Sequence, residues 1–210
     1  MSVPRRPIAT TLAIALAAAV WSVGLAGCAG DPAPADTFYD LTPEDSGRRF
    51  GEPLLNGTLV VERFTADGVL SERSILYKPT DGAGLRQYSY HYWSQSPGMM
   101  LREAVIREYR RAGVAERVVA PAARLLPAYR MTGSINRLYH ARRNGTAAAV
   151  LKMEITITRA RDGEPILLKT YTRTRQLNST RVNAAIGAFQ QALTDIMAQS
   201  LDDLAKRVGR

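Results

Sequence analysis

The residues best suited to chemistry in this chain sit near its N-terminus. Leu25-Ala26-Gly27-Cys28 ends an uncharged apolar stretch, Ile8 to Val23, which Arg5 and Arg6 precede. A basic start, an apolar run and small residues before a cut point are the parts of a secretory leader. The cysteine adds the chemistry. A thiol is the nucleophile that takes a diacylglycerol thioether, and the small pair Ala26-Gly27 lets a peptidase reach the backbone. The run reads as a bacterial lipoprotein signal, with Cys28, the only cysteine, as the lipidated first residue of the mature protein. Two other readings fit the same letters. The stretch approaches the length of a membrane-spanning helix, and a free cysteine is commonly a buried core residue. Ala29 follows the cysteine, where an aspartate commonly retains a lipoprotein at the inner membrane. Outer-membrane delivery, facing the periplasm, is therefore expected.

No other catalytic set is legible. His91 and His140 are the two histidines, and neither has a His, Asp or Glu at ligand spacing, so no metal is expected. There is no Gly-x-Ser-x-Gly elbow and no Gly-rich phosphate loop opening a helix, so no catalytic residue and no cofactor is expected. The acidic pairs Glu44-Asp45 and Asp202-Asp203 read as a solvated loop and a solvated helix face. Three formal sequons, at Asn56, Asn144 and Asn178, read as turns and a helix start. The remaining candidates are aromatic. Tyr88, Tyr90 and Tyr92 alternate along one strand and lead into Trp93. Such a stripe is either an amphipathic surface for a partner or lipid, or the core aromatics of a central strand.

Charge and length bound the class. Of 28 basic and 19 acidic residues only Arg5 and Arg6 precede Cys28, which leaves a formal charge of +7 on residues 28–210. Beside a bilayer that charge favours anionic headgroups or an acidic partner, or is merely a solvated face; in a secreted protein it argues against nucleic acid. The mature length suits one domain, and burying roughly 70% of its unfolded surface gives a real core. With no cysteine left for a disulfide, stability must come from packing.

These residues need a scaffold. Residues 1–27 are the leader, 28–37 a small, proline-containing tether and 38–210 the domain. Phe38-Tyr39-Asp40-Leu41 is a short strand candidate, and 43–57 reads as loop. Thr58 to Phe64, Ser74 to Lys78 and Leu85 to Trp93 follow as strands. In the last, Arg86, Tyr88, Tyr90 and Tyr92 are expected on one face, and Leu85, Gln87, Ser89, His91 and Trp93 on the other. Ser96-Pro97-Gly98 opens a helix with Leu101, Val105 and Tyr109 inward, and Gly113 ends it. Tyr129 to Leu138, a strand carrying Ala147 to Ile157 on its inner face, and Ile166 to Thr174 form an antiparallel meander with turns at Asn144-Gly145 and Asp162-Gly163. From Ser179 or Thr180 a long helix repeats Val182, Ile186, Phe189, Leu193 and onward to Val208 at helical spacing. The expected fold is α/β: a mixed, largely antiparallel sheet with two main helices packed on it.

In this order the pieces resemble a known family. Phe38-Tyr39-Asp40-Leu41-Thr42-Pro43, the strand Leu59 to Phe64, Gly68-Val69-Leu70, the strand Arg73 to Tyr77 and the run into Trp93-Ser94-Gln95-Ser96-Pro97 are similar to the ABC-type transport auxiliary lipoproteins, the paraquat-inducible protein C-like, Mce-associated group. The stretch Ala66-Asp67-Gly68-Val69 departs from the proline-bearing, more aromatic segment of that pattern. The resemblance implies a fold like the N-terminal domain of TolB. It also implies a non-catalytic role beside an Mce-domain protein and an ABC permease and ATPase, moving phospholipid or other hydrophobic molecules between inner and outer membranes. A homo-oligomer is compatible with it. The alternatives are an envelope-assembly lipoprotein partnering an outer-membrane barrel or lipopolysaccharide delivery, and an envelope hydrolase.

Overall fold

The computed structural model describes residues 33–82, 84–143 and 145–209. The chain divides into two units, Met1–Ala35 and Asp36–Arg210. The expected leader, Cys28 and the first half of the expected tether lie outside the described residues, so the structure speaks for the second unit.

That unit is organised around one long strand. β7 (Tyr129–Arg143) pairs antiparallel with β8 (Thr146–Arg159) from end to end, and β8 pairs antiparallel with β9 (Pro165–Leu177). This is the meander read from the sequence, longer at both outer strands than their apolar runs. Ala147, Ala149, Leu151, Met153, Ile155 and Ile157 all face the core, each large one contributing about 1.5–3 kcal/mol of burial. The other edge of β7 is shared by three short strands in succession, all parallel to it. β2 (Leu55–Val61) aligns Leu59 with Tyr129, β3 (Thr65–Ala66) aligns Thr65 with Ser134, and β4 (Ser74–Lys78) aligns Tyr77 with His140. β6 (Ala115–Val119) adds to β2 in parallel. β5 (Arg86–Trp93) adds to β4 antiparallel, and β1 (Thr37–Tyr39) adds to β5 in parallel. The result is the expected mixed sheet. Its long ladders are antiparallel, and its short strands join β7 in parallel. β6 was not legible in sequence: Ala-Glu-Arg-Val-Val is too short and charged to declare a strand without β2 beside it.

Two helices cover the inner face. α1 (Pro97–Ala112) starts after Ser96 with Pro97 in its first turn and buries Leu101, Val105 and Tyr109. Gly113 ends it in the left-handed conformation (φ 73°), its N–H returning to Arg110. α2 (Val182–Arg207) lies on β8 and β9 and buries the predicted series from Val182 to Leu204. Among the described residues no helix is long and apolar enough to cross a membrane.

Residues 40–50 run across both helices, carry Glu44-Asp45 and reach Asp202 of α2. Glu44 N–H donates to Thr194 Oγ1 (2.9 Å), and Arg48 forks onto Asp202 (2.6 and 2.7 Å). Asp203 takes Lys169 of β9 (2.7 Å). The pairs stay near the surface, as expected, but they are engaged. The sequence concealed the acid that matters more. Glu108, buried on α1, accepts from Ser46 N–H, Ser46 Oγ and Arg111 (2.9 Å). Those three donors are what make burial of its carboxylate tolerable.

Candidate functional site

β5 is the strand on which the aromatic candidates lie, and it is not regular. Its pairing with β4 jumps from Tyr92–Ser74 to Gln87–Leu76, so β5 carries three more residues than β4 over that interval. The irregularity centres on Tyr90, which has φ 61°. An odd number of extra residues reverses which face each side chain takes. The predicted single stripe is therefore broken: Tyr88 and Tyr92 lie on opposite faces. Strict alternation in the letters gave no sign of the bulge.

Tyr88 turns inward and gathers the two histidines. Its hydroxyl is 2.8 Å from His140 Nδ1, and its ring meets His91 edge-on at 6.0 Å and Tyr77 at 4.5 Å. His91 Nδ1 is 3.0 Å from the Tyr39 hydroxyl, which donates in turn to Asn183 at the start of α2 (2.7 Å). Residues 52 apart in sequence thus form one cluster of two tyrosine–histidine pairs. His140 is fully buried, and its Nε2 has no protein partner. Burial, helped by the nearby Arg142 guanidinium, pushes its pKa down to about 4. At neutral pH it is an uncharged imidazole. The unfolded chain takes up a proton below about pH 6.5, and the folded chain refuses it until about pH 4. Stability should therefore be flat above that window and fall by about 3 kcal/mol as pH drops through it. Urea unfolding at pH 7 and pH 4.5 measures this. His140→Phe should remove most of the difference; an unchanged slope would assign it to other groups.

The opposite face is open. Tyr92 packs on Phe38 of β1 (5.8 Å), and the Arg73 guanidinium lies over the Phe38 ring (5.3 Å). Phe38 remains 55% exposed, and Tyr90, two residues before Tyr92, 38%. Trp93 is 2% exposed and meets Phe189 of α2 at 5.9 Å. Of the four aromatic candidates, Tyr90 and Tyr92 are thus at or near a surface, Tyr88 is in the inner cluster, and Trp93 is a core anchor. Phe38, one residue into β1, is the surface member that the strand pattern did not single out. Its signal was only that an aromatic followed a tether directly.

A hollow of about 510 Å³ lies on the outer face of the sheet, where the β4–β5 connection meets β7 and β8, lined by Lys78, Thr80, Tyr139, Arg142, Val150 and Gln176, among others. Its ionisable side chains are cationic or phenolic. No carboxylate or imidazole stands among them to serve as a base. Among the described residues no group of three His, Cys, Asp or Glu could hold a metal.

Residues 39–199 match the model of the ABC-type transport auxiliary lipoprotein component family. The chain belongs to that family. The match runs from Tyr39, the last residue of β1, into α2, so it takes in the rest of the sheet and both histidines, and begins one residue after Phe38. A crystal structure of a protein from Xanthomonas campestris is 22% identical and superposes with a TM-score of 0.69, covering 79% of this chain and 92% of that one. An uncharacterized protein of known structure is 12% identical with a TM-score of 0.56, covering 84% and 100%. At these identities the likeness is one of fold. No curated protein sequence matches the chain. Family membership makes the chain an auxiliary lipoprotein component of an ABC-type transport system.

Proposed function

We propose that this auxiliary lipoprotein is the membrane-tethered adaptor of an Mce-type ABC system. In this reading Cys28 carries the lipid, 28–37 is the tether, and the domain is held at the periplasmic face of the outer membrane. Its partners are an Mce-domain protein, a permease and an ATPase, and the cargo is phospholipid or another hydrophobic molecule. The observation that carries this reading is the family match beginning at Tyr39, directly behind residues that read as a lipoprotein signal and a short tether. The edge formed by Phe38, Tyr92 and Arg73 supports it. Exposed aromatics with an arginine are the side chains that dominate protein-binding hot spots.

The test is co-purification from native membranes with tagged full-length chain. The Mce-domain protein and the ATPase should come with it. Phe38→Asp combined with Tyr92→Asp should reduce their recovery about tenfold or more while leaving the unfolding midpoint nearly unchanged. Recovery of an outer-membrane barrel without either transport component would replace this reading with the envelope-assembly one.

A further inference from the structure

Between β6 and β7 the chain makes a tight excursion, residues 120–128, whose tip is apolar and bare. Leu126 is 92% exposed and Leu125 42%. Such exposure comes from an ordered loop. A short 3-10 turn, Pro121–Ala123, closes with Ala123 N–H on Ala120 and Arg124 N–H on Pro121. The returning arm is fastened by Ala128 N–H to Thr58 (2.9 Å) and by Ala160 N–H to Ala128 (2.8 Å). At the tip Arg124 adopts φ 53°, a conformation that residues with side chains adopt reluctantly. The backbone turns there, and the two leucines follow directly, pointing into solvent. Arg161 of the β8–β9 turn lines the same hollow as Pro127; its side chain is 77% exposed while it donates to Asp162 (3.0 Å).

We propose that this loop is an interfacial membrane contact: Leu125 and Leu126 enter the headgroup–acyl boundary, while Arg124 and Arg161 meet anionic phosphates. The setting rests on the reading of the chain as membrane-tethered. Three observations favour a bilayer over a protein. The apolar area is a convex tip of two side chains, far smaller than the roughly 800 Å² per partner of a stable protein interface; a bilayer accepts such a tip without a matching groove. Leucines beside arginines are the composition of interfacial segments, where apolar area and attraction to anionic lipid add. And the loop is already ordered by its own hydrogen bonds, so insertion costs little conformational freedom.

The placement gives the contact a consequence. The loop joins β7 at Tyr129. The chain enters β1 at Thr37, opposite His91, which stands beside the Tyr92–Ser74 pair and so at the level of Arg137, midway along β7. Those levels are about 25 Å apart along β7. A domain tethered at one place and seated by a tip at another has a fixed orientation on the surface, which a flexible tether alone cannot give.

The test uses the expected mature chain, residues 28–210, with Cys28→Ala, which removes its only cysteine, and with Leu126→Cys labelled by an environment-sensitive nitrobenzoxadiazole dye. A second chain carries the label at Thr172→Cys, an exposed site on β9. Both are mixed with vesicles of phosphatidylethanolamine and phosphatidylglycerol, and with vesicles of phosphatidylcholine alone. The proposal expects a several-fold, blue-shifted rise at position 126 and none at 172, larger on the anionic vesicles and abolished by adding Leu125→Asp. No change at 126, or an equal change at 172, overturns it. So does a response at 126 to the solubilised transport proteins but not to vesicles, which would make the tip a protein contact. The lipid anchor and the transporter are absent from the vesicle arms, so these results stand apart from whether the chain serves an Mce system.

Discussion

Gly133→Ala is expected to destabilise the domain by about 3 kcal/mol or more, and Gly98→Ala by at least as much. Both glycines touch Phe64, which lies between β2 and β3 and is fully buried. A Cβ on Gly133 would stand 2.2 Å from the Phe64 ring and 2.6 Å from the Glu154 carbonyl oxygen. A Cβ on Gly98 would stand 2.0 Å from the Phe64 carbonyl oxygen itself. The ring is thus pressed on β7 while its own backbone is pressed on the first turn of α1, where Phe64 N–H also donates to Gly98 (3.3 Å). The two clashes differ in what could relieve them. Phe64→Ala removes the ring, so combined with Gly133→Ala it should cost at least about 1 kcal/mol less than the sum of the two single changes. Combined with Gly98→Ala it should give no relief, because the carbonyl remains. Urea unfolding of the single and double variants measures both couplings. Equal couplings at the two glycines would contradict this account of the junction. Against a typical total stability of about 5–15 kcal/mol, either glycine substitution removes a large share of what keeps the chain folded.

The periodic parts of this fold were readable because one face of each element is buried for its whole length. β8 shows this most plainly, with six inner residues at strict alternation, and α2 with its apolar series from Val182. What escaped was set by contacts between distant residues. Phe64 makes Gly98 and Gly133 necessary, yet nothing local marks either glycine as more than a helix start or a strand interruption. The bulge at Tyr90 has the same character: Arg86 to Trp93 alternates well in letters, and only pairing with the shorter β4 forces the extra residues out of register. The inner cluster could not be read because His91 and His140 come together through three strands and a tyrosine. Tyr88 was singled out in sequence for the wrong neighbours. The exposed pair Leu125-Leu126 looks in sequence like any short apolar run, and only the fold shows that the described residues leave Leu126 almost uncovered.

Cys28→Ala is expected to remove essentially all of the protein from the outer-membrane fraction. If Cys28 is lipidated, its thioether carries two acyl chains, and each buried methylene contributes about 0.8 kcal/mol to membrane binding, so two chains give stable anchoring. Alanine has no thiol to alkylate. Processing before residue 28 depends on that alkylation, so the leader should remain attached and the chain should run at a higher mass. The uncharged stretch from Ile8 to Val23 would then hold it as an unprocessed precursor at the inner membrane. Membrane fractionation with an immunoblot reads both outcomes at once. A domain that is merely secreted should instead mature normally despite the substitution and appear in the soluble periplasmic fraction, and a true spanning anchor should fractionate unchanged at full mass. Nothing in the described residues compensates for loss of the anchor, since neither the apolar tip at Leu126 nor the aromatic edge at Phe38 approaches the apolar area of two acyl chains. The variant should therefore retain a folded domain, with the same unfolding midpoint, while losing the function that depends on where that domain is held.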